Sequence, residues 1–256
     1  MPKIISIHSF RGGTGKSNTS ANIAALMAKR GMRVGVVDTD IQSPGIHVLF
    51  GLTEHDMQHS LNDYLWGKCE VQHTAHDVTQ HIAEAAHHPL LNGKVFLTPS
   101  SLKAGEIAQI LREKYDVGLL NDGFHQLIEA LKLDVLLIDT HPGLNEETLL
   151  SVAISDALVI IMRPDQQDFQ GTAVTVEVAR KLEVPRMMIL VNKAPLTLKP
   201  DEVKAEAENA FDCRVITVLQ HSDELMALAS RGVFALYYPE HKITQQLDEV
   251  VTELLA

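Results

Sequence analysis

Ile4-Ile5-Ser6-Ile7-His8-Ser9-Phe10-Arg11-Gly12-Gly13-Thr14-Gly15-Lys16-Ser17 runs from an apolar strand through a glycine-rich turn into Lys-Ser and a helical pattern. Glycine accepts the backbone angles that aim successive N–H groups at one point, which makes a nest for an anion. The positive end of the following helix reinforces it. Lys16 brings a mobile cation to the β- and γ-phosphates of a nucleotide, and the Ser17 hydroxyl suits Mg²⁺. Gly12, Gly13, Thr14, Gly15, Lys16, Ser17 and Asn18 are therefore the expected phosphate cradle.

Outward from this stretch, apolar runs alternate with amphipathic ones along the whole chain. Strands are expected at Ile4–Ser9, Arg33–Asp38, Val95–Thr98, Val135–Asp139, Ala157–Met162, Met187–Val191 and Val215–Val218. Several are continuous Val/Ile/Leu runs, as parallel strands buried on both faces require. Helices are expected at Ser17–Lys29, Leu102–Glu113, Leu119–Leu131, Gln170–Leu182, Asp201–Ala210 and Ser222–Ser230. The alternation predicts a doubly wound, mostly parallel α/β sheet with its ligand beyond the strands' carboxyl ends. No linker or repeat divides the chain, so one domain over 1–256 is expected, with Gly51–Leu91 as a polar helical excursion.

Composition narrows the class. The 256 residues carry 22 Lys+Arg against 33 Asp+Glu, a formal charge of −11, which argues against an overall basic coat. No unbroken apolar run exceeds six residues, too short for a membrane helix. The two cysteines, Cys69 and Cys213, make no Cys-x-x-Cys. A cytoplasmic protein is the expectation.

Two carboxylate segments follow the loop. Asp38-Thr39-Asp40 closes the second strand, and Asp139-Thr140-His141-Pro142-Gly143 closes the run Leu136-Leu137-Ile138. Carboxylates at strand ends can hold Mg²⁺ and its waters, and one of them can orient a nucleophile. The alternative is that Asp38 and Asp40 simply form a turn. Gly143 tolerates the angles needed to swing an N–H toward a γ-phosphate.

The loop departs from the usual spacing, because Phe10 stands where a standard loop has glycine. Its form, basic-Gly-Gly-x-Gly-Lys-Ser, resembles the deviant loop of the ParA/MinD family of P-loop ATPases, and the likeness continues along nearly the whole chain. The resemblance implies Mg·ATP as cofactor, with Ser17, Asp139 and Asp40 at the metal, and Asp38 supporting its shell. It implies Asp40 as the residue that positions the attacking water, beside Lys16 and Asp38. The family's signature lysine reaches across an ATP-sandwich dimer. Arg11 stands in its place here, either as a phosphate clamp in trans or paired with a local carboxylate. Asn192, after an apolar strand, matches the family's adenine-reading asparagine. The resemblance further implies an ATP-dependent homodimer, non-specific DNA of the nucleoid as its surface, and an adaptor protein that stimulates hydrolysis. The strings His8–Asn18 and Asp38–Gly45 look like the carboxysome-distributing branch, with plasmid or chromosome partition as the other cargoes.

Four further signals bear on function. Seven of the 13 histidines fall in 51–91, and a polar surface explains them better than a metal. The segment His241–Ala256 is amphipathic, but its polar face carries Asp248, Glu249 and Glu253, which anionic lipid repels. Internal packing is expected there, and a MinD-like membrane role is the lesser alternative. Arg180, Lys181, Arg186, Lys193, Lys199 and Lys204 gather in 176–204, either as a DNA contact or as a solvated helix face. An iron–sulfur-carrying relative would need paired cysteines at a subunit interface, and one separated pair gives that reading little support.

Overall fold

A computed structural model describes residues 1–113 and 115–256. Eight strands form one sheet: β1 (Lys3–His8), β2 (Arg33–Asp38), β3 (His76–Asp77), β4 (Lys94–Thr98), β5 (Val135–Asp139), β6 (Ala157–Met162), β7 (Met187–Ala194) and β8 (Val215–Gln220). Their order is β3-β4-β2-β5-β1-β6-β7-β8. Every pairing is parallel except the short antiparallel one between β3 and β4. All seven expected strands are present. The unexpected β3 lies in the excursion, where two residues are too few for a periodic signal.

Twelve α-helices flank the sheet among the described residues. They are α1 (Lys16–Lys29), α2 (Ile46–Leu49), α3 (Leu61–Leu65), α4 (Thr79–Ala85), α5 (Ala104–Glu113), α6 (Gly118–Leu131), α7 (Glu146–Ala153), α8 (Gln166–Lys181), α9 (Pro200–Phe211), α10 (Asp223–Leu228), α11 (Phe234–Tyr237) and α12 (Lys242–Leu255). α8 begins four residues before the expected start, because Asp165 caps it by accepting from the N–H groups of Gln167 and Asp168. The unforeseen α7 is capped in the same way by Asn145, which accepts from the Thr148 N–H.

Strand side chains alternate between two cores, as the pleat dictates. Ile5, Ile7, Val34, Val36, Val135, Leu137, Val159 and Ile161 face α1, α11 and α12. Their neighbours Ile4, Val37, Leu136 and Ile138 face α6, while Leu158, Ile160, Ile189 and Val191 pack with Val176 of α8 and Val203 of α9. α1 lies between the sheet and α12, so Ala21 and Ile23–Ala28 are all buried. The apolar stripe Ile243, Leu247, Val250, Val251 and Leu254 of α12 is likewise buried. That helix is pinned by Arg30 to Asp248 at 2.8 Å and by Arg214 to Glu253 at 2.7 Å. This is the internal packing the sequence suggested. No helix among the described residues is long and apolar enough to cross a membrane.

Candidate functional site

Because the strands run parallel, the turns after β1, β2 and β5 open on the same edge, with β5 between the other two. Gly15, at φ +103°, caps α1 and leaves the helix's first N–H groups facing the mouth. Lys16 is buried in that first turn. Asp38 and Asp139 pair directly across β2 and β5, so their side chains leave the sheet together. Asp139 accepts from the Ser20 hydroxyl at 2.9 Å, with the Ser17 hydroxyl nearby. Asp38 accepts from the backbone N–H groups of Asp40 at 3.0 Å and Gly45 at 3.4 Å. Asp40 accepts from the Ser43 N–H at 3.1 Å, and His141 Nε2 lies 3.8 Å from its Oδ1. Gly143, at φ +85°, donates its N–H to the Ser9 carbonyl at 3.1 Å, which ties the β5 turn to the phosphate loop.

The electrostatics follow from three carboxylates in a small volume. Burial and the neighbouring Asp139 hold Asp38 well above the ordinary aspartate range. Burial lifts Asp139 to about 6, against the pull of Ser17, Lys16 and Ser20. Asp40 is also raised by burial, with His141 and Lys16 opposing. His8 lies beneath them, its Nδ1 at 2.8 Å from the Thr140 hydroxyl, which itself donates to the Ile7 carbonyl. Burial and the nearby Lys16 push His8 down to about 3, so it stays neutral.

Crowded carboxylates beside a serine hydroxyl are a donor set short of one cation, and hard oxygen donors suit Mg²⁺. Among the described residues no three His, Cys, Asp or Glu side chains are placed to hold a metal ion by themselves.

Other expected site residues have different surroundings. Arg11, 39% exposed, is 3.4 Å from Asp168 and 3.8 Å from Asp165 at the start of α8, so within one chain it pairs with local carboxylates. Asp168 is buried and also accepts from the backbone N–H and the guanidinium of Arg163, at 2.9 and 3.1 Å. Phe10 packs against Gly171 of α8, where a Cβ would collide with its ring. Asn192 uses both ends of its amide on protein: Nδ2 donates to the Thr14 carbonyl at 2.8 Å and Oδ1 accepts from the Lys193 N–H at 2.9 Å. The amide's second N–H and the other lone pair of Oδ1 have no partner among the described residues.

The basic gathering at 176–204 is largely engaged. Arg180 donates to the carbonyls of Phe211 and Asp212, Lys181 pairs with Glu177, Arg186 with Glu253 and Lys199 with Glu202. Lys193 donates to Gly13. Cys69 follows α3 and Cys213 precedes β8, so they belong to opposite halves of the sheet. Sequence reasoning overlooked Arg163, Asp168 and Gly171. Asp165 as a cap was the one available signal for that corner.

Comparison with known proteins bears on the family and the fold. An ATP-binding protein of Methanocaldococcus jannaschii is 25% identical over 98% of this chain and 87% of its own length. The flagellum site-determining protein YlxH of Helicobacter pylori is 26% identical over 96% of this chain and 76% of its own. The solved structure of the septum site-determining protein MinD with Mg-ADP, from Pyrococcus horikoshii, superposes with a TM-score of 0.79 at 21% identity, over 99% of this chain and 96% of that one. Residues 1–254 match the family ParA, described as NUBPL iron-transfer P-loop NTPase. The chain therefore belongs to the ParA family of P-loop NTPases and has the ParA/MinD fold.

Proposed function

We propose that this chain is an ATP hydrolase that cycles between monomer and ATP-sandwich dimer and positions an intracellular cargo. The observation that carries the chemistry is the convergence of Lys16, Asp38, Asp40 and Asp139 at the N-terminus of α1. Gly12–Asn18 hold the phosphates through N–H groups and the Lys16 ammonium. Ser17 and Asp139 would hold Mg²⁺, with Asp40 and Asp38 beside them, and the bound ion would offset charge on the phosphate oxygens. Asp40 orients water toward the γ-phosphorus, and the bond to the ADP oxygen breaks in line. The carboxylates lie on the β5–β2 side of the loop, so the nucleoside extends toward β7 and β8. A cleft of about 340 Å³ lined by Leu196, Gln220, His221 and Glu224 is proposed for the base.

Arg11 is assigned to the partner's phosphates in the dimer, which requires it to exchange Asp165 and Asp168 for them. Non-specific DNA is the proposed surface, on the strength of the family resemblance. Within one chain only Lys204 of the six cations is without a hydrogen bond or ion pair among the described residues, so two chains have to assemble the contact. An adaptor that stimulates hydrolysis, and a carboxysome, plasmid or chromosome as cargo, complete the proposal. The family description names iron transfer; the two cysteines of this chain, Cys69 and Cys213, lie in opposite halves of the sheet, which favours the positioning reading.

The test is ATP turnover with Mg²⁺ by the wild type, Lys16→Ala and Asp40→Ala. Turnover in the wild type, no nucleotide binding by Lys16→Ala, and an ATP-loaded dimer that does not turn over in Asp40→Ala are expected. Wild-type turnover by Asp40→Ala would remove it as the water-positioning residue.

A further inference from the structure

Asp40 and His141 belong to different turns, yet the ends of β2 and β5 hold those turns together. At their bases the Thr39 N–H and hydroxyl both donate to the Asp139 carbonyl, at 2.9 and 3.2 Å. The Thr140 N–H donates to the Ile7 carbonyl at 3.2 Å, and the His141 carbonyl accepts from the Thr148 hydroxyl of α7, also at 3.2 Å. His141 is thus fixed on both sides along the chain. Standing before Pro142, it also has few backbone conformations open to it.

The Asp40 carboxylate is approached on one oxygen only. Oδ1 accepts from the Ser43 N–H at 3.1 Å and lies 3.8 Å from His141 Nε2, while Oδ2 has no partner among the described residues. On the ring, Nδ1 is buried without a partner, so Nε2 is the nitrogen that meets a polar group. A neighbouring carboxylate selects the tautomer that donates to it, which assigns the ring proton to Nε2. A separation of 3.8 Å is too long for a hydrogen bond, but contacts in a catalytic site tighten when the ligand is in place. Held at Oδ1 from two directions, the carboxylate cannot turn about its Cβ–Cγ bond. Oδ2 is then free to accept from water.

We propose that His141 is a positioning residue for hydrolysis, whose Nε2–H holds Oδ1 of Asp40 so that Oδ2 receives the attacking water. The proposal rests on the reading of Asp40 as the water-positioning residue. The water oxygen bonds to the γ-phosphorus as the bond to the bridging ADP oxygen breaks, and that oxygen keeps the electron pair. Both water protons leave on the released phosphate, one of them after passing to another of its oxygens. The ring therefore orients Asp40 and takes up no proton.

The test compares ATP hydrolysis with Mg²⁺ by the wild type, His141→Ala, His141→Leu and His141→Gln, with calorimetric ATP affinity, ATP-dependent dimerisation and melting temperature alongside. Glutamine keeps an N–H near the place of Nε2 but cannot act as a base. Leucine keeps bulk without a donor, so it leaves the test open if His141→Ala does not fold. His141→Ala and His141→Leu are expected to lower kcat by about tenfold to a hundredfold, the scale seen when a group that orients a reacting one is lost. KM, ATP affinity and dimerisation stay at wild-type values, and His141→Gln recovers most of the loss. Wild-type kcat in both His141→Ala and His141→Leu would overturn the proposal. A His141→Gln variant as slow as His141→Ala would overturn it too, by making the ring a proton carrier. So would a loss confined to KM or affinity, which would make the ring a ligand contact. A wild type that hydrolyses no ATP, or Asp40→Ala at the wild-type rate, would remove the underlying reading itself, an outcome distinct from the others.

Discussion

Asp139 and Asp38 have been brought side by side by strand pairing, out of reach of bulk water. Folding lifts Asp139 from the ordinary 3.8 to about 6, so between those pH values the native state holds a proton that the unfolded chain has released. The contribution of this carboxylate to stability therefore falls as pH rises through that window. His8, pushed down to about 3, acts with the opposite sign below 6.5. Asp139→Asn is expected to match the nucleotide-free wild type near pH 4, to exceed it increasingly toward pH 6, and to stay ahead at pH 7. Melting curves across pH check this, and added Mg·ATP should stabilise only the wild type. Arg11→Ala is expected to retain ATP binding and lose ATP-dependent dimerisation, measured by light scattering. Normal dimerisation and turnover would leave Arg11 with its pairing to Asp165 and Asp168 alone. Asp38, Asp40 and Asp139 were legible because a carboxylate ending an apolar run needs no tertiary information. The partners of Arg11 were not, since Asp168 lies 157 residues away and only packing brings it near.

At the scale of elements, the strands were legible because both faces of this sheet are covered, which writes them as continuous apolar runs. α7 was missed although Asn145, Glu146 and Glu147 carry a cap and an acidic first turn; eight residues gave too little periodicity to see. α12 was read correctly because its apolar stripe is one-sided, and what covers it is α1. Leu247, 3% exposed within that contact, is a test of whether α12 belongs to the core. Leu247→Ala is expected to cost about 2–5 kcal/mol in denaturant unfolding. A loss within the scatter of a surface substitution, together with ATP-dependent binding to anionic vesicles, would mean that α12 detaches and serves a membrane.

For the whole molecule, the net charge of −11 sets the terms of any contact with a polyanion. A pair of such chains approaches DNA against its own field unless dimerisation concentrates cations on one surface. Sedimentation with DNA under Mg·ATP, Mg·ADP and no nucleotide is expected to give binding with ATP only, falling steeply with salt. Binding in none of the three states would remove DNA and direct attention to a protein scaffold. That surface was the least legible part of the sequence, because charge counts along a chain do not register which cations are already paired.

The contact of Phe10 with Gly171 has a bearing on how such proteins can be recombined. The segment 10–17 looks like an exchangeable cassette, yet its first side chain occupies a notch more than 150 residues downstream. Transplanting it into a relative with a larger residue at that helix position brings ring and side chain into collision, and bringing a glycine into the loop here leaves the notch empty. Chimaeras made across this family would have to carry both positions together, and an inherited change at one should be followed by a change at the other.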